Sequence, residues 1–170
     1  MKKLSLLVTA LLIFTTSSYT VKAQTETKIG GFLAYGTEIE NIGIGVNAEF
    51  TILENLTISP SFIYYLPKDE SGIKINWIEF NANANYYFID KKNIDVYGIG
   101  GLNYTNVKVE YDGDSIFGND LSASDSRIGL NLGGGANFKI GNKIIPFTEL
   151  KYVIIDTGQL VIAAGVKFNI

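Results

Sequence analysis

The 170 residues contain no cysteine and no histidine. Without cysteine, no disulfide frame holds the chain, and no N-terminal Cys is there to carry a lipid anchor. Without histidine, the imidazole that serves as general base near neutral pH is missing. Ser-His-Asp and Asp-His arrangements are therefore excluded, and a carboxylate-only mechanism is left without positive support. Basic charge is scarce and scattered, with 14 Lys and Arg against 17 Asp and Glu and no basic stripe, which argues against a nucleic-acid partner. Long hydrophobic runs are missing too: Leu4 to Phe14 is apolar but too short to span a bilayer as a helix. Past that run there is no helical period of apolar residues.

What is present begins with a processing segment. Lys2 and Lys3 precede the apolar run, and Val21-Lys22-Ala23 places small residues three and one before a cleavage point at Gln24. This is the layout of a secretory signal peptide over residues 1–23, with a mature domain over 24–170. Cleavage removes three lysines and no acid, leaving 11 basic and 17 acidic residues and shifting the formal charge from −3 to −6.

The mature chain alternates. In 42–52, Ile42, Ile44, Val46, Ala48, Phe50 and Ile52 are apolar, and Gly43, Gly45, Asn47, Glu49 and Thr51 lie between them. The same period of two runs through 78–88, 128–140 and 160–170, with Val161 the one large apolar residue in the complement of the last. Such runs predict long strands with one apolar face. Thr27 to Gly36, Leu56 to Leu66, Ile94 to Tyr111 and Ile144 to Ile154 complete a predicted set of eight. The connectors alternate as well. Those after the second, fourth and sixth strands are short (53–55, 89–93, 141–143), and those after the third and fifth are predicted longer (67–74, 112–125). The fold class expected is all-β: an eight-stranded antiparallel up-and-down transmembrane barrel with short turns and both termini in the periplasm.

Aromatic placement predicts two belts at the lipid interfaces. Phe50, Phe88, Phe138 and Phe168 mark the lower ends of strands, and Tyr64, Tyr65, Trp77, Tyr111 and Tyr152 the upper ends. The inward set carries Glu49, Glu79, Arg127, Lys139, Glu149, Lys151 and Lys167 among several asparagines. In an eight-stranded lumen these charges must pair, which predicts a plugged polar core. The expected pairing is an upper cluster of Glu79 with Arg127 and Lys151, a lower cluster of Glu49 with Lys139 and Lys167, and Glu149 between them. Glycines are dense in the strands (Gly30, Gly43, Gly45, Gly98, Gly100 and Gly133 to Gly135 among them). No helix follows any of them, so the reading is strand curvature and room for large inward neighbours rather than a phosphate cradle. Asp112, Asp114, Asp120 and Asp125 raise the question of Ca²⁺, but the segment misses the EF-hand pattern, with Ala123 where its twelfth position takes Glu. No metal, cofactor or catalytic residue is predicted.

The alternating strands and the terminal Gly165-Val166-Lys167-Phe168-Asn169-Ile170, with outward apolar residues at every second position, make the mature chain similar to the small OmpA/OmpX-type outer-membrane barrels. Such barrels often end on Phe, and this chain ends on Ile170. The resemblance implies insertion by the barrel-assembly machinery. It also implies residence among outer-membrane lipid and lipopolysaccharide as a monomer, with an unidentified surface ligand. The function expected is a non-enzymatic structural or loop-mediated binding role in the envelope. A narrow pore for small solutes or ions, an outer-membrane enzyme and a soluble lipocalin-like barrel are the alternatives.

Overall fold

Lipid leaves no water to satisfy a backbone N–H or C=O, so strands can cross it only when each has two hydrogen-bonded neighbours. The computed structural model, which describes residues 27–70, 73–111, 122–140, 143–156 and 158–170, meets that demand. Its strands are β1 (Thr27–Gly36), β2 (Asn41–Leu53), β3 (Leu56–Glu70), β4 (Ile73–Asp90), β5 (Ile94–Tyr111), β6 (Ser122–Phe138), β7 (Ile144–Ile154) and β8 (Gln159–Asn169). Each pairs antiparallel with its neighbour in sequence, and β1 pairs with β8, so the sheet closes on itself. The predicted eight-stranded barrel is the fold. The predicted signal peptide and Asp112, Asp114 and Asp120 lie outside the described residues.

Alternation and facing agree where the wall meets lipid. Along β2, Gly43, Gly45, Asn47 and Glu49 are buried while Ile42, Ile44, Val46 and Phe50 are exposed. Phe50, Phe88, Phe138 and Phe168 all face outward near the end that carries the short turns, here the turn end. At the opposite end, the loop end, Tyr64 and Tyr152 face outward, whereas Tyr65 is fully buried in the lumen and Trp77 packs against the buried core. The upper belt is therefore smaller than its aromatic count suggests, because parity along the strand decides the facing.

Two connectors differ from expectation. The segment 67–74 is mostly strand: β3 runs to Glu70 and β4 starts at Ile73, with an irregular register between Tyr65 and Lys68 around Pro67. Ser122 to Arg127 likewise belongs to β6, paired with β5 from Glu110 down to Thr105. Beyond the lipid the outward face has no need to be apolar, so alternation fades while the backbone ladder continues. As a result β4, β5 and β6 are 18, 18 and 17 residues long against 10 for β1 and 11 for β7 and β8, and the wall is tall on one side.

The lumen is filled, and not by polar groups alone. Phe32, Ile63, Tyr65, Phe147, Val153 and Val161 form a buried apolar cluster on the side built by β1, β3, β7 and β8. Val161, the odd residue in its polar complement, belongs to this cluster. Polar side chains fill the side built by β4, β5 and β6.

Candidate functional site: the lumen and its two rims

Near the turn end, Glu49 is 1% exposed and sits among donors. Its Oε2 accepts from Lys167 Nζ at 2.8 Å, and its Oε1 accepts from Lys28 Nζ at 3.0 Å and Tyr87 Oη at 2.7 Å. Lys167 is itself shared. Its ammonium reaches Tyr97 Oη and Asn137 Oδ1, both at 3.3 Å, lies 3.9 Å from Glu149 Oε1, and stands 4.5 Å above the Phe147 ring. Tyr97 Oη donates to Glu149 Oε1 at 2.7 Å. Two carboxylates thus meet two ammonium groups in one network, which is what a low-dielectric interior requires of buried charge.

Higher in the lumen, Glu79 is fully buried. Its Oε1 accepts from Gln159 Nε2 at 2.6 Å and Tyr65 Oη at 3.2 Å, and its Oε2 lies 3.6 Å from Lys151 Nζ. Asn81 Oδ1 collects three donors at 2.8–2.9 Å, from Lys151 Nζ, Asn103 Nδ2 and Asn131 Nδ2. Asn131 also donates to Asn83 Oδ1 at 2.8 Å. The amides spread the Lys151 and Glu79 charges over a wider set of dipoles than a bare pair would provide.

The sequence-predicted residues sort into three places. Glu49 and Lys167 meet, Glu79 and Lys151 meet, and Glu149 joins the lower group through Lys167 and Tyr97. Arg127 does not reach Glu79. It stands at the loop-end rim, where its Nε donates to Asp125 Oδ2 at 2.8 Å and lies 3.9 Å from Asp156 Oδ2. Glu79 and Arg127 both stand opposite Thr105, on β5. Yet strands tilted by about 35–45° carry a cross-strand row upward, by roughly 6 Å over two strands, so equal register is not equal height. Lys139 does not join Glu49 either. It lies just past β6 at the turn-end rim and bridges Asp90 Oδ1 and Asp95 Oδ1, each at 2.6 Å. Partial burial pulls the Lys139 ammonium down, but those two carboxylates outweigh it and hold its pKa above the usual lysine value.

Sequence reading passed over Lys28, Tyr87 and Tyr97, although each has the inward parity of its strand. It also gave no weight to Gln159, which lies at the first position of β8. No group of His, Cys, Asp and Glu among the described residues has the arrangement of a metal site.

The chain matches the family described as outer membrane protein beta-barrel domain over residues 8–169. It has no match among curated proteins. Solved structures give the fold. The N-terminal β-barrel domain of Pseudomonas aeruginosa OprF superposes with a TM-score of 0.69 at 16% identity, covering 86% of this chain and 98% of that one. A major outer membrane protein from Thermus thermophilus gives 0.67 at 10% identity, covering 87% and 100%. Ail, the attachment invasion locus protein of Yersinia pestis, gives 0.58 at 19% identity, covering 85% and 97%. With a closed eight-stranded wall, a lipid-facing apolar belt and a match over nearly its whole length, this chain belongs to the outer membrane protein beta-barrel domain family.

Proposed function

We propose that the protein is a closed, non-enzymatic barrel of the outer membrane that carries no solute through its lumen and serves the envelope through its wall or through what its loop end binds. The observation that carries this is the filling of the lumen: Ile63, Tyr65, Val153 and Val161 are at most 1% exposed, and Glu49, Glu79, Asn131 and Lys167 in the same lumen are buried to the same degree. An eight-stranded barrel is only wide enough for such a filling, so a solute would have to displace paired charges to pass.

In this reading residues 1–23 are a cleaved signal peptide and 24–170 the mature domain. The turn end, where Thr27 and Asn169 lie, faces the periplasm, because short turns on that side are the outer-membrane pattern. The barrel-assembly machinery inserts the chain, which stays monomeric among outer-membrane lipid and lipopolysaccharide, and no cofactor is needed. The absence of histidine supports a non-enzymatic role.

Reconstitution into planar bilayers is the test. The expected record is flat, without discrete conductance steps. Regular steps in the wild-type protein would replace this reading with the narrow pore.

A further inference from the structure

The tall part of the wall has an inner face above the lumen. Trp77 on β4, Val107 and Val109 on β5 and Ala123 on β6 share the inward parity of their strands. Trp77 stands opposite Val107, Val107 opposite Asp125, and Val109 opposite Ala123. With Glu38 from the β1–β2 turn and Arg127, they line a cavity of about 390 Å³ at the loop end. That volume lies in the lower range of small-ligand sites.

The cavity has a floor, walls and a rim of different chemistry. Trp77 is the floor, packed against the apolar cluster with its ring edge-on to Tyr65 at 6.4 Å. Its indole Nε1 is buried and has no hydrogen-bond partner among the described residues. A buried N–H left unpaired is costly and is satisfied by any acceptor that reaches it. The walls are the aliphatic Val107, Val109 and Ala123. The rim is acidic. Arg127 is held by Asp125 at 2.8 Å and lies 3.9 Å from Asp156, and Glu38 adds a third carboxylate to one guanidinium. The mature chain is net negative as well, which adds to the pull on a cation.

We propose that this cup binds a lysine or arginine side chain of a basic peptide. A long cationic side chain suits all three zones. Its aliphatic stem lies along Val107, Val109 and Ala123, and its charge meets Glu38 and Asp156 with the Trp77 face beneath. A bare metal ion would leave the apolar walls without a partner, and an anion would meet an acidic rim. The proposal deepens the reading of a barrel whose loop end is its binding face, and rests on it.

Trp77 is the only tryptophan in the chain, so emission excited beyond the tyrosine absorption band reports the floor of the cup. The experiment titrates the detergent-folded barrel with a terminally blocked Ala-Lys-Ala peptide. Two further peptides replace the lysine by norleucine and by glutamate. The expected result is a saturable emission change with the lysine peptide alone, weakened by added NaCl. Glu38→Gln, an exposed turn position, should raise the apparent Kd roughly two- to fivefold. Ala123→Leu, which fills the cavity, should abolish the response while the barrel remains folded. The proposal is overturned by the absence of saturation with the lysine peptide, by an equal response to the norleucine or glutamate peptide, or by unchanged affinity in both variants. A negative titration beside a flat bilayer record removes the cup alone. Conductance steps beside a positive titration remove the closed-lumen reading and leave the cup standing.

Discussion

The ring of Phe32 occupies space that two glycines vacate. Its register partners are Gly45 on β2 and Gly165 on β8. A methyl group at Gly165 would come within 2.4 Å of the Phe32 Cβ and 2.3 Å of the Gly31 carbonyl oxygen, whereas one at Gly98 would meet nothing within 4 Å. Glycine density in these strands therefore has two origins, and only the first is sterically enforced. Gly165→Ala is expected to destabilise the barrel by about 1–3 kcal/mol, the usual range for overpacking. Gly98→Ala should stay within about 0.5 kcal/mol of wild type. Denaturant unfolding in lipid vesicles would compare them, and equal effects would mean that Phe32 moves aside without cost. The buried charges make a second prediction at this scale. Glu79→Gln leaves Lys151 without its carboxylate, 3.6 Å away, and should cost about 3–5 kcal/mol. Adding Lys151→Gln should recover part of that loss, while adding Arg127→Gln should be additive, because Arg127 belongs to the rim. A double-mutant cycle in which Glu79 couples to Arg127 and not to Lys151 would refute the pairing.

Along a single strand, β6 shows both what a sequence discloses and where it stops. Leu132 faces outward at 57% exposure, and its neighbour Asn131 is fully buried, donating to Asn81 and Asn83. Both facings were legible, since a period of two over residues 128–140 admits only one phase with leucine in lipid. Leu132→Arg should cost roughly 2–4 kcal/mol of folding stability in vesicles, as a charge near the bilayer midplane does. A neutral result would place Leu132 outside the hydrocarbon. The upper third of the same strand was not legible. Ser124 and Ser126 stand on the face that would be lipid-facing lower down, but above the bilayer no apolar signal is demanded, and the stretch reads as loop. The β3–β4 hairpin was hidden for the same reason, with Pro67 adding a false break. The partners of Glu79 and Glu49 depended on tilt, which parity does not encode. Parity told that Lys167 points inward but did not name its partner: Lys28 stands opposite Glu49 in the β1–β2 ladder, and only the closure of β1 on β8, with Lys28 opposite Asn169, brings Lys167 to the same carboxylate.

Closure also governs how the whole molecule comes apart. Every strand has two neighbours, and the last seam is the β1–β8 ladder from Lys28–Asn169 to Gly36–Val161. Opening any seam creates two unpaired edges at once, and it unseats the lumen network, because Glu49 on β2 is tied to Lys28 on β1 and Lys167 on β8. No seam can therefore yield while the others stay intact, and loss of structure should be all-or-none. Two consequences are measurable on one sample. In cold detergent the folded barrel should migrate differently on a gel from the boiled chain. During denaturant unfolding, Trp77 emission, which reports the loop end, should change over the same range as far-UV circular dichroism, which reports the sheet as a whole. The tall wall of β4, β5 and β6 is the place where this could fail, since its upper rows are paired on fewer sides than the rows inside the bilayer: β6 meets β7 only from Leu130 onward. Emission that shifts at lower denaturant than the dichroism, with gel mobility still that of the folded form, would show that the wall melts before the barrel opens. Identical gel migration before and after boiling would count against a closed barrel altogether.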